Sequence, residues 1–222
     1  MRATVHELHP NEPGRAVLRI LPPGLGAEHP YRCAFEQFRH KWYCGVLGYE
    51  PARNDGRERD LYDRYSTYVI VTENDKVVGG CRIVPSFSIA DPLPMEERRE
   101  FEGIIERPCV ELSRMIVGRK VNPHTINELY RGIYATLGSA HLFGGPIVTA
   151  CATVEPNYLS ALQARFSKNA FVVMGEGGTI QAKTGTGKQI VHIVMRICME
   201  AWRECFLSLD VENAAQRKEM LR

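Results

Sequence analysis

Several ionisable residues of this chain sit inside runs that otherwise look like protein core. Arg39 lies in RHKWY, and Glu58, Asp60 and Asp63 lie in ERDLYD. Arg82 lies in GGCRIVP, and Glu111 and Arg114 lie in VELSRMIV. The last two runs read as strands, each carrying charge among apolar neighbours. Taking an ion out of water costs several kcal/mol unless it is paired. The carboxylates at 60, 63 and 111 are therefore expected to meet the arginines at 39, 82 and 114. Two arrangements satisfy that expectation. One is a solvent-facing sheet surface with ordinary ion pairs. The other is a polar pocket for a zwitterionic ligand, in which an arginine takes a carboxylate through a bidentate pair and a carboxylate takes an ammonium group. Tyr43 and Tyr49 flank the region and suit an apolar or planar part of a ligand.

Other chemistries find no support. TGTGK at 184–188 lacks the glycine of a phosphate loop, because Ala182 stands five residues before the Gly of GK and Gln189 replaces the Ser or Thr that should follow. It reads as a glycine-rich hairpin turn. No GxSxG nucleophile motif occurs. The histidines at 6, 9, 29, 40, 124, 141 and 192 have neither HExxH nor HxH spacing, so no metal site is expected. The seven cysteines include no CxxC pair, which argues against a disulfide framework and for a reducing cytoplasm. Most are expected to be small core residues.

The elements that must position these residues follow from periodicity. Phe35, Phe38, Trp42 and Val46 predict a helix over about 31–46. PARNDGRERD reads as a loop, and a mobile one. Two β-rich runs flank ENDK as a hairpin. Residues 94–104 read as a short charged helix, 109–117 as a strand, and a helix follows with Thr125 and Glu128 at capping-box spacing. A buried strand is expected at 146–153, a helix at 157–166, strands at 171–174 and 190–197, and an amphipathic helix over 199–221. That order predicts an α+β domain with one mostly antiparallel sheet covered by helices. Residues 1–30, rich in Pro and Gly with one possible strand at 16–21, read as an N-terminal extension to a single domain over 31–222.

Composition sets the outer limits. With 222 residues, 44% hydrophobic and 24% charged, the chain suits one globular domain rather than a disordered one. A net charge of +2 gives no reason to expect nucleic acid as a partner. No apolar run approaches the roughly 20 residues of a membrane helix, and MRATVHELHPNEPG has no apolar core of a secretory signal. Neither a membrane nor export is expected, and a cytoplasmic location is.

Taken in order, the charged residues resemble the acyl-homoserine-lactone synthases, the LuxI-type autoinducer synthases. That family's pattern is Arg, an aromatic four residues on and Trp ten residues on, then E-x-D-x-x-D, G-x-x-R-x-x-P, a downstream Phe, and E-x-S-R-F. Here Arg39, Tyr43 and Tyr49 keep the first spacing, and Glu58, Asp60 and Asp63 the second. Gly79, Arg82 and Pro85 keep the third, followed by Phe101 and then by Glu111, Ser113 and Arg114. The likeness covers roughly residues 36–117, with a similar strand–EP–helix rhythm at 148–166. Tyr43 stands for the usual Phe, Tyr49 for Trp and Met115 for Phe, and the stretch before Arg39 is longer than usual. Two related branches share the fold: the N-acyl amino acid synthases, and acyltransferases associated with protein-sorting systems. The latter also resemble the run Tyr43, Cys44, Gly48, Tyr49, Glu50.

The resemblance implies a GNAT-like acyltransferase fold and a reaction. An acyl thioester, on acyl carrier protein or coenzyme A, would acylate the amine of S-adenosylmethionine. Lactonisation would then release methylthioadenosine and a quorum-sensing signal, with S-adenosylmethionine as substrate and no cofactor or metal. Glu111 would be the base, directly or through water, with Arg114 orienting it and Arg82 beside them. Arg39, Tyr43, Tyr49, Asp60, Asp63 and Ser113 would serve S-adenosylmethionine. Phe101, Met115, Thr149, Cys151 and Leu159 would line the acyl chain. Arg119, Lys120, Arg165 and Lys168 would face an acidic carrier protein. The alternative is N-acylation of another amine, such as a free amino acid.

Overall fold

The structure is a computed structural model that describes residues 4–8, 16–87, 106–139, 149–174, 179–184, 186–187 and 189–207. The helix expected at 94–104, with Phe101, lies outside these residues, as do 146–148 and the end of the last helix beyond 207.

Among the described residues, nine strands form one sheet: β1 (Thr4–Leu8), β2 (Ala16–Leu21), β3 (Thr67–Glu73), β4 (Lys76–Ser86), β5 (Cys109–Val117), β6 (Thr149–Val154), β7 (Phe171–Val173), β8 (Thr179–Lys183) and β9 (Gln189–Ile197). The order is β1-β2-β3-β4-β5-β6-β9-β7, with β8 also on β9. Every pairing is antiparallel except β5 with β6. Helices cover both faces: α1 (Pro30–Arg39) on one, and α2 (Pro123–Leu137), α3 (Pro156–Arg165) and α4 (199–207) on the other. The expected mostly antiparallel α+β architecture is therefore present. No helix among the described residues is long and apolar enough to cross a membrane.

Alternation along the strands sets the two faces. On β4, Cys81 and Ile83 join the core under α2, while Arg82 and Val84 point to the α1 side. On β3, Val69 and Val71 face α2, while Tyr68 and Ile70 pack with Phe35 of α1. The β3–β4 hairpin turns on Asn74 and Asp75, both at positive φ (49° and 60°), as a two-residue primed turn requires. α1 approaches β4 closely because Gly80 has no side chain: a Cβ there would lie 2.5 Å from the Phe35 ring.

Several expectations need correcting. The strand at 16–21 is present but is no appendage: β2 pairs with β3 and is buried along its length, so the stretch set apart as an extension carries part of the core. The helix expected to 46 is α-helical only to Arg39 and continues as a π-helical turn over His40–Val46. α2 starts earlier than Thr125. Asn122 caps it, accepting from His124 N at 2.8 Å, while the Thr125 hydroxyl donates to Glu73 at 2.9 Å. The loop read as mobile is tied down at its end, where Arg57 reaches Glu36 (2.8 Å) and Glu28 (3.1 Å) and the Glu58 amide donates to the Glu36 carbonyl (3.1 Å). All seven cysteines are free thiols, but only Cys81, Cys109 and Cys151 are buried; the other four are half-buried.

Candidate active site

The E-x-D-x-x-D spacing is a local fold before it is a site. Asp60 caps a short 3-10 turn (Leu61–Arg64), its Oδ1 accepting from Tyr62 N at 2.9 Å, while Asp63 Oδ2 accepts from the Asp60 amide at 2.8 Å. This reciprocal capping fixes both carboxylates relative to each other. Arg39 arrives from the end of α1, one turn beyond Phe35 on the same face. Its Nη1 and Nη2 reach the two Asp63 oxygens at 2.7 and 3.1 Å, and Nε donates to Glu58. Arg82 arrives from β4, with Nη1 on Asp60 and Asp63 (3.0 Å to the latter) and Nε on Ser113 Oγ at 3.0 Å. Tyr68 adds a hydroxyl to Asp63 at 2.8 Å.

Asp63 thus accepts from five donors, which fills a carboxylate's lone pairs. Burial alone would favour its protonated form, but the Arg39 and Arg82 guanidiniums outweigh burial and hold its carboxyl well below the usual range. Asp63 and Glu58 in turn hold Arg39 firmly charged although it is sealed from solvent. Arg39 and Arg82 are 0% exposed, which excludes the solvent-facing arrangement.

Arg114 reaches this network through a bulge. Gly80 pairs with Ile116 and Arg82 with Ser113, so β5 spends one residue more than β4, and Arg114 adopts φ 52°. A left-handed conformation costs an L residue roughly 1–2 kcal/mol. In return, Ser113 and Arg114 both meet the charged network, while Met115 returns to the α2 side. Arg114 Nη2 lies 3.1 Å from Glu50 and 3.2 Å from Glu58, and its guanidinium stands 5.1 Å from the centre of the Tyr43 ring.

Beyond this frame lies a cavity of about 540 Å³. It forms where the parallel strands part. β5 and β6 pair from Cys109↔Thr149 to Leu112↔Ala152 and no further; β5 then continues with β4 alone and β6 with β9. The residues released from that ladder, Ser113 to Met115 and Thr153 to Val154, line the cavity. Its polar end carries Glu111, Arg114, Glu50, Glu155, Tyr43 and Tyr49. Its apolar end, on the α2–α4 side, carries Leu162, Phe171, Met195, Ile197, Tyr130 and Trp202. Tyr49 donates to Glu155 at the start of α3. Desolvation, with this bond, pushes the Tyr49 phenol up to about 12. Desolvation likewise raises Tyr43 to about 12, against the pull of Arg114. Both stay protonated near neutrality, and Tyr49 acts as a donor. Burial pushes the Cys81 thiol up to about 12, and no cysteine among the described residues lines the cavity.

The candidate residues therefore separate. Glu111, Ser113, Arg114, Tyr43, Tyr49 and Met115 line the cavity, whereas Arg39, Asp60, Asp63 and Arg82 stand behind it as a frame. Arg114 spends its guanidinium on Glu58 and Glu50. Thr149, Cys151 and Leu159 are buried but do not line the cavity. Cys151 sits on the α1 side with Tyr62 and Val84, and Leu159 belongs to the core beneath α3. Glu155, Tyr130, Leu162, Phe171, Met195, Ile197 and Trp202 went unnamed as site residues. Of these, only Glu155 had a signal, the EP step before a helix. Among the described residues no cluster of His, Cys, Asp or Glu could hold a metal ion. Of the basic residues proposed for a carrier protein, Arg165 is engaged within the chain, with Nε 3.1 Å from Asn127.

Residues 38–129 match the family described as acetyltransferase (GNAT) domain. Among solved structures, the AHL synthase LasI aligns with a TM-score of 0.60 at 16% identity, over 84% of this chain and 91% of that one. The CoA-dependent acyl-homoserine lactone synthase BjaI, solved with SAM and isopentyl-CoA, aligns at 0.58 and 22% identity, over 84% and 85%. FeeM, an N-acyl amino acid synthase from uncultured soil microbes, aligns at 0.58 and 16% identity, over 86% and 95%. At these identities the likeness is one of fold: the chain has the GNAT acyltransferase fold that the run from Arg39 to Arg114 implied.

Proposed function

We propose that this chain is an N-acyltransferase of the acyl-homoserine-lactone synthase kind, joining an acyl group from a thioester to the amine of S-adenosylmethionine. The observation that carries the reading is one cavity, polar at one end and apolar at the other, crossing the place where β5 and β6 part. A reaction between a charged amine and a fatty acyl thioester needs both environments within reach of one carbon. Among the described residues, the lining carries three carboxylates, Glu50, Glu111 and Glu155, against one arginine that is already paired and one histidine, His192. That charge balance favours an acceptor bearing both an ammonium and a sulfonium.

Glu111, on β5 at the parting, takes a proton from the ammonium, directly or through water. The freed amine lone pair attacks the thioester carbonyl. Backbone N–H groups released from the β5–β6 ladder stabilise the oxyanion. The adduct nitrogen, now positively charged, loses its second proton as the carbon–sulfur bond breaks; the departing thiolate takes up that proton, and the proton first taken by Glu111 is released to solvent, leaving a neutral amide and a free thiol. In the second step the substrate carboxylate attacks the carbon bearing the sulfonium. That carbon–sulfur bond breaks towards sulfur, giving the lactone and neutral methylthioadenosine. Arg39, Asp63 and Arg82 act by holding β4, β5 and the 3-10 turn in place.

The test is mass spectrometry on protein incubated with S-adenosylmethionine and a panel of acyl-CoA and acyl carrier protein thioesters. Expected products are methylthioadenosine and an N-acyl homoserine lactone, which also makes the chain a source of a quorum-sensing signal. Thiol release only when free amino acids are added, with no methylthioadenosine, would replace this reading with N-acyl amino acid synthesis.

A further inference from the structure

The apolar end of the cavity is bordered by Trp202 of α4, which packs beside Phe171 on β7, the last strand in the sheet order. On the α2–α4 side, the cavity touches Leu112 of β5, Ala152 of β6, Met195 and Ile197 of β9, and Phe171 of β7. These strands are consecutive in the sheet, and the cross-strand partners Ala152↔Met195 and Phe171↔Ile197 place the residues in adjoining rows. The cavity therefore runs across the strands rather than along them. At its far side stands Trp202 of α4, 1% exposed, with its ring 5.4 Å from that of Phe171. Phe166, Phe206 and Tyr134 pack around the indole at 5.9, 5.7 and 5.7 Å between ring centres. The start of α4 is tied to the segment before β7, since Cys198 N donates to Ala170 O at 2.9 Å and Trp202 N to Cys198 O at 3.0 Å. The indole cannot swing aside without unpacking that cluster.

We infer that Trp202 is the residue that determines acyl chain length, and that the acyl group it admits has about ten carbons, from about 1.2 Å per extended bond over the strand path. This inference rests on the acyltransferase reading and deepens it. Neighbouring strands lie about 4.8 Å apart, so the path from midway between β5 and β6 to β7 is roughly 12 Å. An extended chain covering about 3.3–3.6 Å per three bonds fills that path with about ten atoms. Each methylene beyond the stop costs on the order of tenfold in kcat/KM, because it must displace a packed ring rather than water.

The experiment uses the full chain and its Trp202→Ala and Trp202→Leu variants. Acyl-CoA thioesters of about four to sixteen carbons, bracketing the length above, are the probes. Two readouts are taken: kcat/KM with S-adenosylmethionine, and thermal stabilisation by each thioester with no acceptor present. Wild type is expected to peak near ten carbons in both readouts. Either variant is expected to shift both peaks to longer chains, gaining on long donors while losing on short ones. A variant that lowers all donors evenly and leaves the peak in place overturns the role of Trp202. Absence of transfer to S-adenosylmethionine from every acyl-CoA and from the matching acyl carrier protein thioesters overturns the synthase reading instead, and the thermal profile then still decides whether Trp202 sets a length. Trp202→Leu, which leaves a smaller cavity, serves if Trp202→Ala does not fold.

Discussion

On the α1 face of the sheet, Arg39, Arg82, Glu58 and Asp63 are among the most deeply buried side chains of the molecule; on the opposite face the same depth is filled by Phe171 and Trp202, with Phe206 buried and Phe166 half-buried against them. The two solutions respond differently to change. A buried ion keeps its place only while every partner is present, because losing one leaves an uncompensated charge in a dry site. An aromatic cluster is held by dispersion and ring geometry spread over many contacts, and it tolerates substitution of similar volume. The rigid face holds the strand that carries Glu111 and Arg114. The tolerant face borders the apolar end of the cavity. A chain built this way can keep its chemistry while its acyl preference is altered.

The largest effect that sharpens this contrast is on turnover. Glu111→Gln is expected to lower kcat by about 10²–10⁴-fold, the usual worth of a positioned base, with the melting curve little changed. A variant that keeps most of its turnover would remove Glu111 from the chemistry. Next is stability. Asp63→Ala strands Arg39 and Arg82 and should cost about 3–5 kcal/mol, whereas Phe166→Leu on the other face should cost less than about 1.5 kcal/mol. Urea denaturation of both variants decides it, and equal losses would break the comparison between the faces.

Acid should act on one face only. The Asp63 carboxyl is held below its ordinary range when folded, so the stability it confers is fully present above the unfolded pKa of about 4 and is lost as pH falls further. Melting temperature is expected to fall steeply below about pH 4, and less steeply in Asp63→Asn, which no longer titrates there. A parallel fall in both proteins would place the acid sensitivity elsewhere. The smallest effect belongs to Tyr49→Phe, which removes the bond to Glu155 at the cavity's polar end. A loss of about 0.5–1.5 kcal/mol in acceptor binding is expected. It should be independent of pH from about 6 to 9, since the phenol titrates only near 12. A KM effect that grows across that range would mean Tyr49 acts by ionising.

The charged frame was legible because charge is constrained. Of the carboxylates expected to find the arginines at 39, 82 and 114, Asp60 and Asp63 meet Arg39 and Arg82, and Glu58, which the pairing had left out, joins them on Arg39 and Arg114. Strand 109–117 was legible for the same reason, since its pattern is apolar except at Glu111, Ser113 and Arg114, which line the cavity. The aromatic end was not, because Trp202 or Phe171 lining a cavity has the same pattern as Trp202 or Phe171 filling a core. Distance hid other parts: Tyr49 and Glu155 meet across 106 residues, and no local spacing announces such a pair. The bulge at Arg114 depends on register against β4, which is a property of two strands together. Asn122 capped α2 where Thr125 and Glu128 had the expected spacing, because Pro123 set the first turn and Thr125 was drawn to Glu73. The loop before Glu58 looked unstructured since its order comes from Glu28 and Glu36, well upstream.

The most direct measurement is a crystal structure of the protein with decanoyl-CoA bound. The acyl chain should cross β6 and β9 on the α2–α4 side and end against Phe171 and Trp202, with the thioester carbonyl at the parting of β5 and β6 and Glu111 facing it across the acceptor space. An acyl chain lodged on the α1 face, or lying outside the sheet with the parting empty, would show that the two ends of the cavity do not serve one reaction.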